Sequence, residues 1–293
     1  MSANRRHFSV GDIQCTAISD GTFFYPPNWF FSNVPQEQLE NSLRDHNLSS
    51  TEVVSPYTCL VIKTGEHTVL VDTGADGLAP TTGDLLKNLK AEGITPEDIT
   101  TVVLTHAHPD HIGGALDTSG KPAFANARYV MSRTEWDFWT SKPELRGAGM
   151  DDHMKELLVT CALKNLPPLK PRMELLEAEL EIVPGVYATP APGHTPGHIA
   201  LVISSAKEQL LHMADTVLHP MHIEYPAWRT VFDLNQDEAA TTRRRLLDRA
   251  VADHSNVLAY HFPFPGLGHV TNRGNAWRWE PANAETKGTP DAP

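Results

Sequence analysis

The chain has 293 residues, 40% of them hydrophobic and 20% charged, with a formal net charge of −12, the make-up of an ordinary soluble globular protein able to bury a large core. Such acidity argues against a nucleic-acid partner, because phosphate binding needs a basic face. No apolar run approaches the roughly 20 residues that span a bilayer, and Met1 to Val10 lacks the apolar stretch of a secretory signal, so no membrane partner and a cytoplasmic location are expected. Cys15, Cys59 and Cys161 are far apart and in no metal-type spacing, as expected for reduced, buried structural thiols.

Residues 1–10 are expected as a loose arm, and 10–19 as the opening strand. Residues 23–31 hold six aromatics broken by Pro26 and Pro27, a composition unlike a helix or central strand. These rings must cover the core, form a dimer contact or wall a substrate pocket. A short amphipathic helix is expected at 35–47. Strands at 57–63 and 68–72 are joined by a turn at 64–67. Leu85, Leu86 and Leu89 give 83–92 a helical spacing, residues 95–98 have the form of a helix start, and 101–104 is a β-branched run that reads as a buried strand.

Further on, 127–131 reads as a strand. Ser132 and Glu135 have capping-box spacing before a helix carrying Trp136, Phe138 and Trp139. The polar stretch 141–171, helical around 151–163, reads as an insertion crossing the active-site face. Residues 181–189 read as a strand pair, 199–203 and 209–213 as strands, and 237–252 as a helix whose Arg243, Arg244 and Arg245 belong to a solvated face. Residues 255–266 read as a strand delivering His261, and the tail 282–293 is expected to be loose.

The chemistry concentrates in Thr105-His106-Ala107-His108-Pro109-Asp110-His111, three imidazoles and one carboxylate on a tight loop after a strand, where α/β folds place their sites. His106 and His108, two apart, can reach one ion. Asp110 and His111 then turn towards a second. Imidazole and carboxylate suit zinc, ahead of manganese, iron or cobalt. A second loop, 189–198, has three prolines and two glycines, a rigid backbone suited to holding a ligand. It carries His194 and His198. His198 is expected to hydrogen-bond within the scaffold. His219 and His222, flanking Pro220-Met221, are expected at the surface.

The H-x-H-x-D-H spacing, followed in order by His194, Asp215 and His261, resembles the metallo-β-lactamase superfamily over most of the chain. The resemblance implies a single domain over 1–293: an αβ/βα four-layer sandwich, two central mixed sheets flanked by helices, in two pseudo-repeated halves. It implies two divalent metal ions, zinc first, with His106, His108 and His194 on one ion, Asp110, His111 and His261 on the other, and Asp215 bridging them along with a hydroxide. Asp72 is then the carboxylate that holds the metal loop without binding metal. Asp110 is expected to act catalytically by orienting the hydroxide and passing its proton to the leaving group. Histidine at 108 departs from the di-iron flavoprotein branch, and the full second set departs from single-iron dioxygenases.

Residues 191–198 resemble the loop of N-acyl-homoserine lactonases. Residues 261–269, with 135–139, look like the methyl parathion hydrolase branch. The resemblance makes Phe138 and Trp139 substrate contacts, or else helix core, and lets His269 contact a leaving group or close its loop. Acyl-homoserine lactonases often have a tyrosine three residues after the bridging aspartate, and Leu218 stands there instead. The expected function is a dinuclear metal-dependent hydrolase opening hydrophobic lactones or esters, promiscuous towards organophosphate triesters. Alternatives are a dedicated organophosphate hydrolase, a thioesterase or β-lactamase of the same fold, or a metal-binding module without turnover. The partners implied are a small hydrophobic substrate and a second copy in a homodimer, for which the aromatic stretch could serve.

Overall fold

A computed structural model describes residues 4–145 and 148–282. Fourteen strands form two seven-stranded sheets, each with its strands in sequential order. The first holds β1 (Arg5–Val10), β2 (Ile13–Tyr25), β3 (Val53–Thr64), β4 (His67–Val71), β5 (Thr101–Val103), β6 (Arg128–Ser132) and β7 (Met173–Leu176). The second holds β8 (Leu180–Val183), β9 (Val186–Pro190), β10 (Ile199–Ser205), β11 (Glu208–Ala214), β12 (Asn256–Ala259), β13 (Leu267–Arg273) and β14 (Ala276–Pro281). Both sheets are mixed. β4 pairs parallel with β5 in the first, and β11 parallel with β12 in the second, so the two halves repeat one arrangement at their centres.

Alternation of side chains along the strands divides the core into layers. Leu60, Ile62, Val69, Val71 and Val103 meet Val186, Leu201, Ile203, Leu210 and Leu258 between the sheets. On the outer face of the first sheet, Val61, Leu70, Val102 and Leu104 pack on Leu85, Leu89, Trp139, Leu158 and Ala162 from helices. On the outer face of the second, Val202, Leu211, Met213 and Val257 meet Leu246, Leu247 and Ala250 of the helix Gln236–Ala252. This is the expected αβ/βα sandwich. Among the described residues no helix is long and apolar enough to cross a membrane.

Several local expectations change. Residues 5–10, expected to be loose, form the strand β1, hydrogen-bonded along β2 from Arg5 to Val10. Residues 283–293 of the expected loose tail lie outside the described residues. β2 runs on to Tyr25, because its long antiparallel pairing with β3 continues to Tyr25 and Val53 past a bulge at Ser19–Gly21. His261 follows the short strand β12 on a loop. The aromatic stretch turns inward after β2. Phe30 and Phe31 are buried with Leu39, Leu43, Leu218, Met221 and Trp228, and Phe23, Tyr25 and Phe30 also wall a cavity. The stretch therefore covers a core and lines a pocket.

His219 and His222 are buried, contrary to the surface expectation. Phe31, remote in sequence, packs its ring 5.5 Å from His219 and 5.3 Å from His222. His222 donates from Nε2 to the Phe30 carbonyl at 2.9 Å, and His219 Nδ1 accepts from the Met221 amide at 3.2 Å. Burial, reinforced by His46, lowers the His219 pKa from 6.5 to about 3. A histidine held neutral in the folded state binds fewer protons than in the unfolded chain, so its contribution is complete above the unfolded pKa and lost as pH falls. Replacing His219 by Asn should therefore flatten the decline of Tm between about pH 6.5 and pH 3, a difference readable by calorimetry of the two proteins side by side. Identical slopes would show that this histidine is not a source of acid sensitivity.

Candidate metal centre

The site lies where strand ends of both sheets converge, the usual crevice position for α/β folds. β4 ends on Asp72, which takes a left-handed φ of 60°. β5 leads into the 105–111 loop, the turn between β9 and β10 carries His194, β11 ends on Asp215, and the loop after β12 carries His261. Ala214, just before Asp215, also has a positive φ, 42°. Non-glycine residues in this region store strain, which persists where surrounding contacts over-determine the backbone. At Asp72 those contacts are explicit. Its carboxylate accepts from the Thr105 amide at 2.8 Å, from the Thr105 hydroxyl at 2.9 and 3.0 Å, and from His111 Nδ1 at 2.8 Å.

The structure brings all seven expected ligand residues together. His106, His108, His194 and Asp215 form one group, and Asp110, His111 and His261 another, with donor atoms within 4.8 Å of one another in each. Asp215 sits between the groups. Its Oδ2 lies 3.2 Å from His194 Nε2, 3.7 Å from His106 Nε2 and 3.1 Å from His261 Nε2, and its Oδ1 lies 3.2 Å from His111 Nε2. Asp110 Oδ2 approaches His261 Nε2 at 3.4 Å and His111 Nε2 at 3.6 Å.

The far side of each ring is fixed by a separate partner. His261 Nδ1 faces Ser55 Oγ at 2.9 Å and the Pro56 carbonyl at 3.2 Å, His194 Nδ1 donates to Asp233 at 2.9 Å, and His106 Nδ1 faces Thr105 Oγ1 at 3.2 Å. These bonds, with that of His111 to Asp72, leave Nε2 as the inward atom of four rings. His108 is reversed, with Nδ1 facing His194 Nε2 at 2.9 Å. Outer hydrogen bonds of this kind set tautomer and aim in metal-binding histidines. Buried polar atoms normally find partners, yet among the described residues the Nε2 atoms of His106 and His111 and Oδ1 of Asp215, close as the last two lie, make no well-directed hydrogen bond. A pair of divalent cations fits this donor set.

The protonation pattern shows the same crowding. Burial, then the neighbouring His111, hold His106 well below the ordinary imidazole range. Burial and His194 do the same to His108. Burial also opposes charge on His111 and His194, but Asp215 and Asp72 lift the first well above that range, and Asp215 and Asp233 lift the second to about 9. Asp215 is held well below the carboxylate range, His111, His261 and His106 outweighing its burial.

Three further residues organise the loops. Glu135 is fully buried. One oxygen accepts from the Ala107 amide at 3.0 Å and Trp139 Nε1 at 2.7 Å, the other from the Thr195 hydroxyl at 2.7 Å and the Gly197 amide at 2.9 Å. It thus ties the loop of His106 and His108 to that of His194. The expected capping box is absent: Ser132 makes no side-chain cap bond, and the Glu135 carboxylate is taken by the four buried donors rather than by the Ser132 amide. Gly197 must lack a side chain, since a Cβ there would lie 2.1 Å from the Glu135 amide nitrogen. Asp233 is backed by Arg243 at 3.5 Å. Arg243 is fully buried, not on a solvated face, and donates to the carbonyls of Thr216 at 3.0 Å and Trp228 at 2.7 Å. His198 bonds within the scaffold, with Nδ1 to the Ala191 carbonyl at 3.0 Å and Nε2 accepting from the Asp215 amide at 3.1 Å.

The expected substrate contacts separate. Leu218 lines the cavity over the cluster. Trp139 is fully buried, its ring 5.7 Å from that of His108, beneath the site. Phe138 lines a different depression with Gly193 and Pro196, and His269 is exposed on β13, paired with Asn256 and Glu280. None of these three is among the described residues lining the cavity. Helical spacing turns Trp139 into the core, and β13 lies beyond the strand that precedes His261.

Replacing Asp233 by Asn should weaken retention of one ion by about 10–100-fold and leave the other bound, which chelator competition would resolve; loss of neither ion would remove Asp233 from the site. Glu135→Ala leaves four buried donors without an acceptor and should cost about 3 kcal/mol or more in urea unfolding.

The metallo-beta-lactamase superfamily model matches residues 53–261. An N-acyl homoserine lactonase of a Bacillus species is 30% identical over 190 residues, 58% of this chain and 67% of the relative. That of Bacillus cereus is 28% identical over 53% of this chain and 61% of its own length. Among solved structures, the dizinc quorum-quenching lactonase AidC, in complex with the product N-hexanoyl-L-homoserine, superposes with a TM-score of 0.91 at 26% identity, covering 97% of this chain and 99% of that one. The hydrolase AbOPH gives 0.86 at 26% identity, covering 98% and 100%. With the family's domain spanning both ligand groups and the two-sheet sandwich around them, the chain belongs to the metallo-β-lactamase superfamily of metal-dependent hydrolases.

Proposed function

We propose that this enzyme hydrolyses hydrophobic acyl lactones, N-acyl homoserine lactones foremost and simple esters second, with two zinc ions. The observation that carries this reading is the cavity. It holds about 250 Å³ and is lined by His108, Asp110, His194, Asp215 and His261 of the site, by His153, and otherwise by mostly apolar and aromatic side chains. One wall is the end of β2 and the aromatic stretch: Phe23, Tyr25 and Phe30. The helix Asp152–Asn165 contributes a second stretch of wall, through His153, Met154, Leu157 and Leu158. Such a shape takes an aliphatic chain and presents an ester at the polar end. The lactonase relatives and the product-bound neighbour support the same choice.

His106, His108 and His194 would hold one ion, Asp110, His111 and His261 the other, and Asp215 both. Bound there, the ions lower the pKa of water and polarise a carbonyl. The remaining work falls to the chain. Asp215 and the imidazoles, fixed from behind by Asp72, Asp233 and Ser55, give a site that need not reorganise as charge develops. Asp110 borders the cavity and would take a proton from the attacking water and return it to the leaving alkoxide oxygen. The apolar rings exclude competing water. Aryl phosphotriesters form a second reading, favoured by the aromatic wall, which would take an aryl leaving group.

Protein reconstituted with zinc should hydrolyse N-hexanoyl homoserine lactone with a kcat/KM above that for an aryl phosphotriester; the reverse order by orders of magnitude would install the second reading. Asp215→Ala should hold at most one ion per chain by emission spectrometry and lose about 100-fold or more of kcat. Full turnover with both ions retained would remove Asp215 from the bridging position.

A further inference from the structure

Leu218, on the cavity wall, offers no hydroxyl, but Tyr25 on the same cavity does. Among its described lining residues Tyr25 alone carries a neutral hydroxyl, on the same cavity surface as Asp110, Asp215 and His261. Tyr25 Oη lies 2.8 Å from Tyr57 Oη. Tyr57 is fully buried, its ring 5.4 Å from that of His261 and 6.0 Å from that of Tyr260. Among the described residues Tyr25 Oη is the one hydrogen-bond partner of the Tyr57 hydroxyl.

That pair has a direction. A buried hydroxyl must place its proton on an acceptor, and the Tyr57 proton has the Tyr25 oxygen. Tyr57 therefore donates and Tyr25 accepts, which leaves the proton of Tyr25 free to point into the cavity. The ring that carries it is held by neighbours on several sides: Phe23 at 4.6 Å, Phe30 at 5.4 Å and Phe232 at 5.4 Å. A donor fixed before substrate arrives is the kind that stabilises developing charge without reorganisation.

We propose that Tyr25 is a catalytic hydrogen-bond donor to the carbonyl oxygen of the scissile ester, a role that rests on the lactone or ester reading above. As the water oxygen bonds to the carbonyl carbon, the C=O π pair moves onto oxygen, and the Tyr25 O–H hydrogen bond strengthens without transferring its proton. The pair returns, the C–O bond to the alkoxide breaks, and the proton carried by Asp110 goes to that leaving oxygen. Tyr25 ends as it began. Burial raises the phenol above its ordinary range, so it remains a donor at neutral pH.

The test compares Tyr25→Phe and Tyr57→Phe with wild type, each reconstituted with zinc, on N-hexanoyl homoserine lactone, with metal content and Tm measured alongside. Loss of one fixed donor should lower kcat of Tyr25→Phe by roughly 10–100-fold with KM within about threefold, while Tyr57→Phe falls only about two- to fivefold. Metal content should match wild type in both. Tyr25→Phe at wild-type kcat, or Tyr57→Phe losing as much kcat as Tyr25→Phe, overturns the assignment; the second comparison stands in if Tyr25→Phe does not fold, since a Tyr57→Phe loss of 10-fold or more is then the overturning result. A wild type that hydrolyses lactone but a variant that matches it refutes Tyr25 alone. A wild type that opens no lactone or ester refutes the function and Tyr25 together.

Discussion

Asp215 is the point on which this molecule turns. One buried carboxylate faces imidazoles from three separate loops within hydrogen-bonding distance or just beyond it, and nothing in the protein alone can satisfy all of those atoms together. Cations held by the two ligand groups would resolve the conflict, taking the lone pairs of the rings that face this carboxylate. The rest of the local architecture can be read as what that arrangement requires. The Asp215 amide is held by His198, the carbonyl of the next residue by Arg243, and the ring of His194 by an aspartate that the same arginine supports. The helix Gln236–Ala252 thus reaches the centre through one buried guanidinium.

Glu135 performs the corresponding task across the two halves. Its two oxygens divide their bonds between a loop of the first sheet and a loop of the second. Asp72 and Thr105 fix the first loop from within. The sheets pack through an apolar interior that specifies contact but little register, and directional bonds at the rim supply the alignment that greasy surfaces cannot.

What the sequence discloses follows from distance along the chain. His106 to His111 could be read because ligands within one turn leave a spacing. His194, Asp215 and His261 became legible through their order. Strands β3 to β6 and β9 to β11 announced themselves by short runs rich in apolar residues between turns. Glu135, Asp233 and Arg243 left no comparable signal: each acts on residues tens of positions away, and alone each looks like a helix-start acid, a loop acid and one of three consecutive arginines. Tyr25 was hidden among aromatics whose bulk was evident and whose hydroxyl was not. For Trp139 and Phe138 the sequence left substrate contact and helix core both open, because helical spacing says which residues share a face, not which neighbour that face meets. β1 was missed because an edge strand with few apolar residues resembles a disordered arm until its partner is known.

The two long walls of the cavity differ in mechanical character. On one side is the end of β2, laddered to β3 as far as Tyr25 and Val53, a surface that cannot move without unzipping the sheet. On the other is a helix whose cavity-facing residues include Met154 and two leucines and whose packing rests on adaptable aliphatic side chains. Accommodation of bulkier ligands therefore belongs to the helical side, and substitutions there can reshape the cavity while the cluster of histidines and aspartates, anchored at the strand ends, stays unaltered.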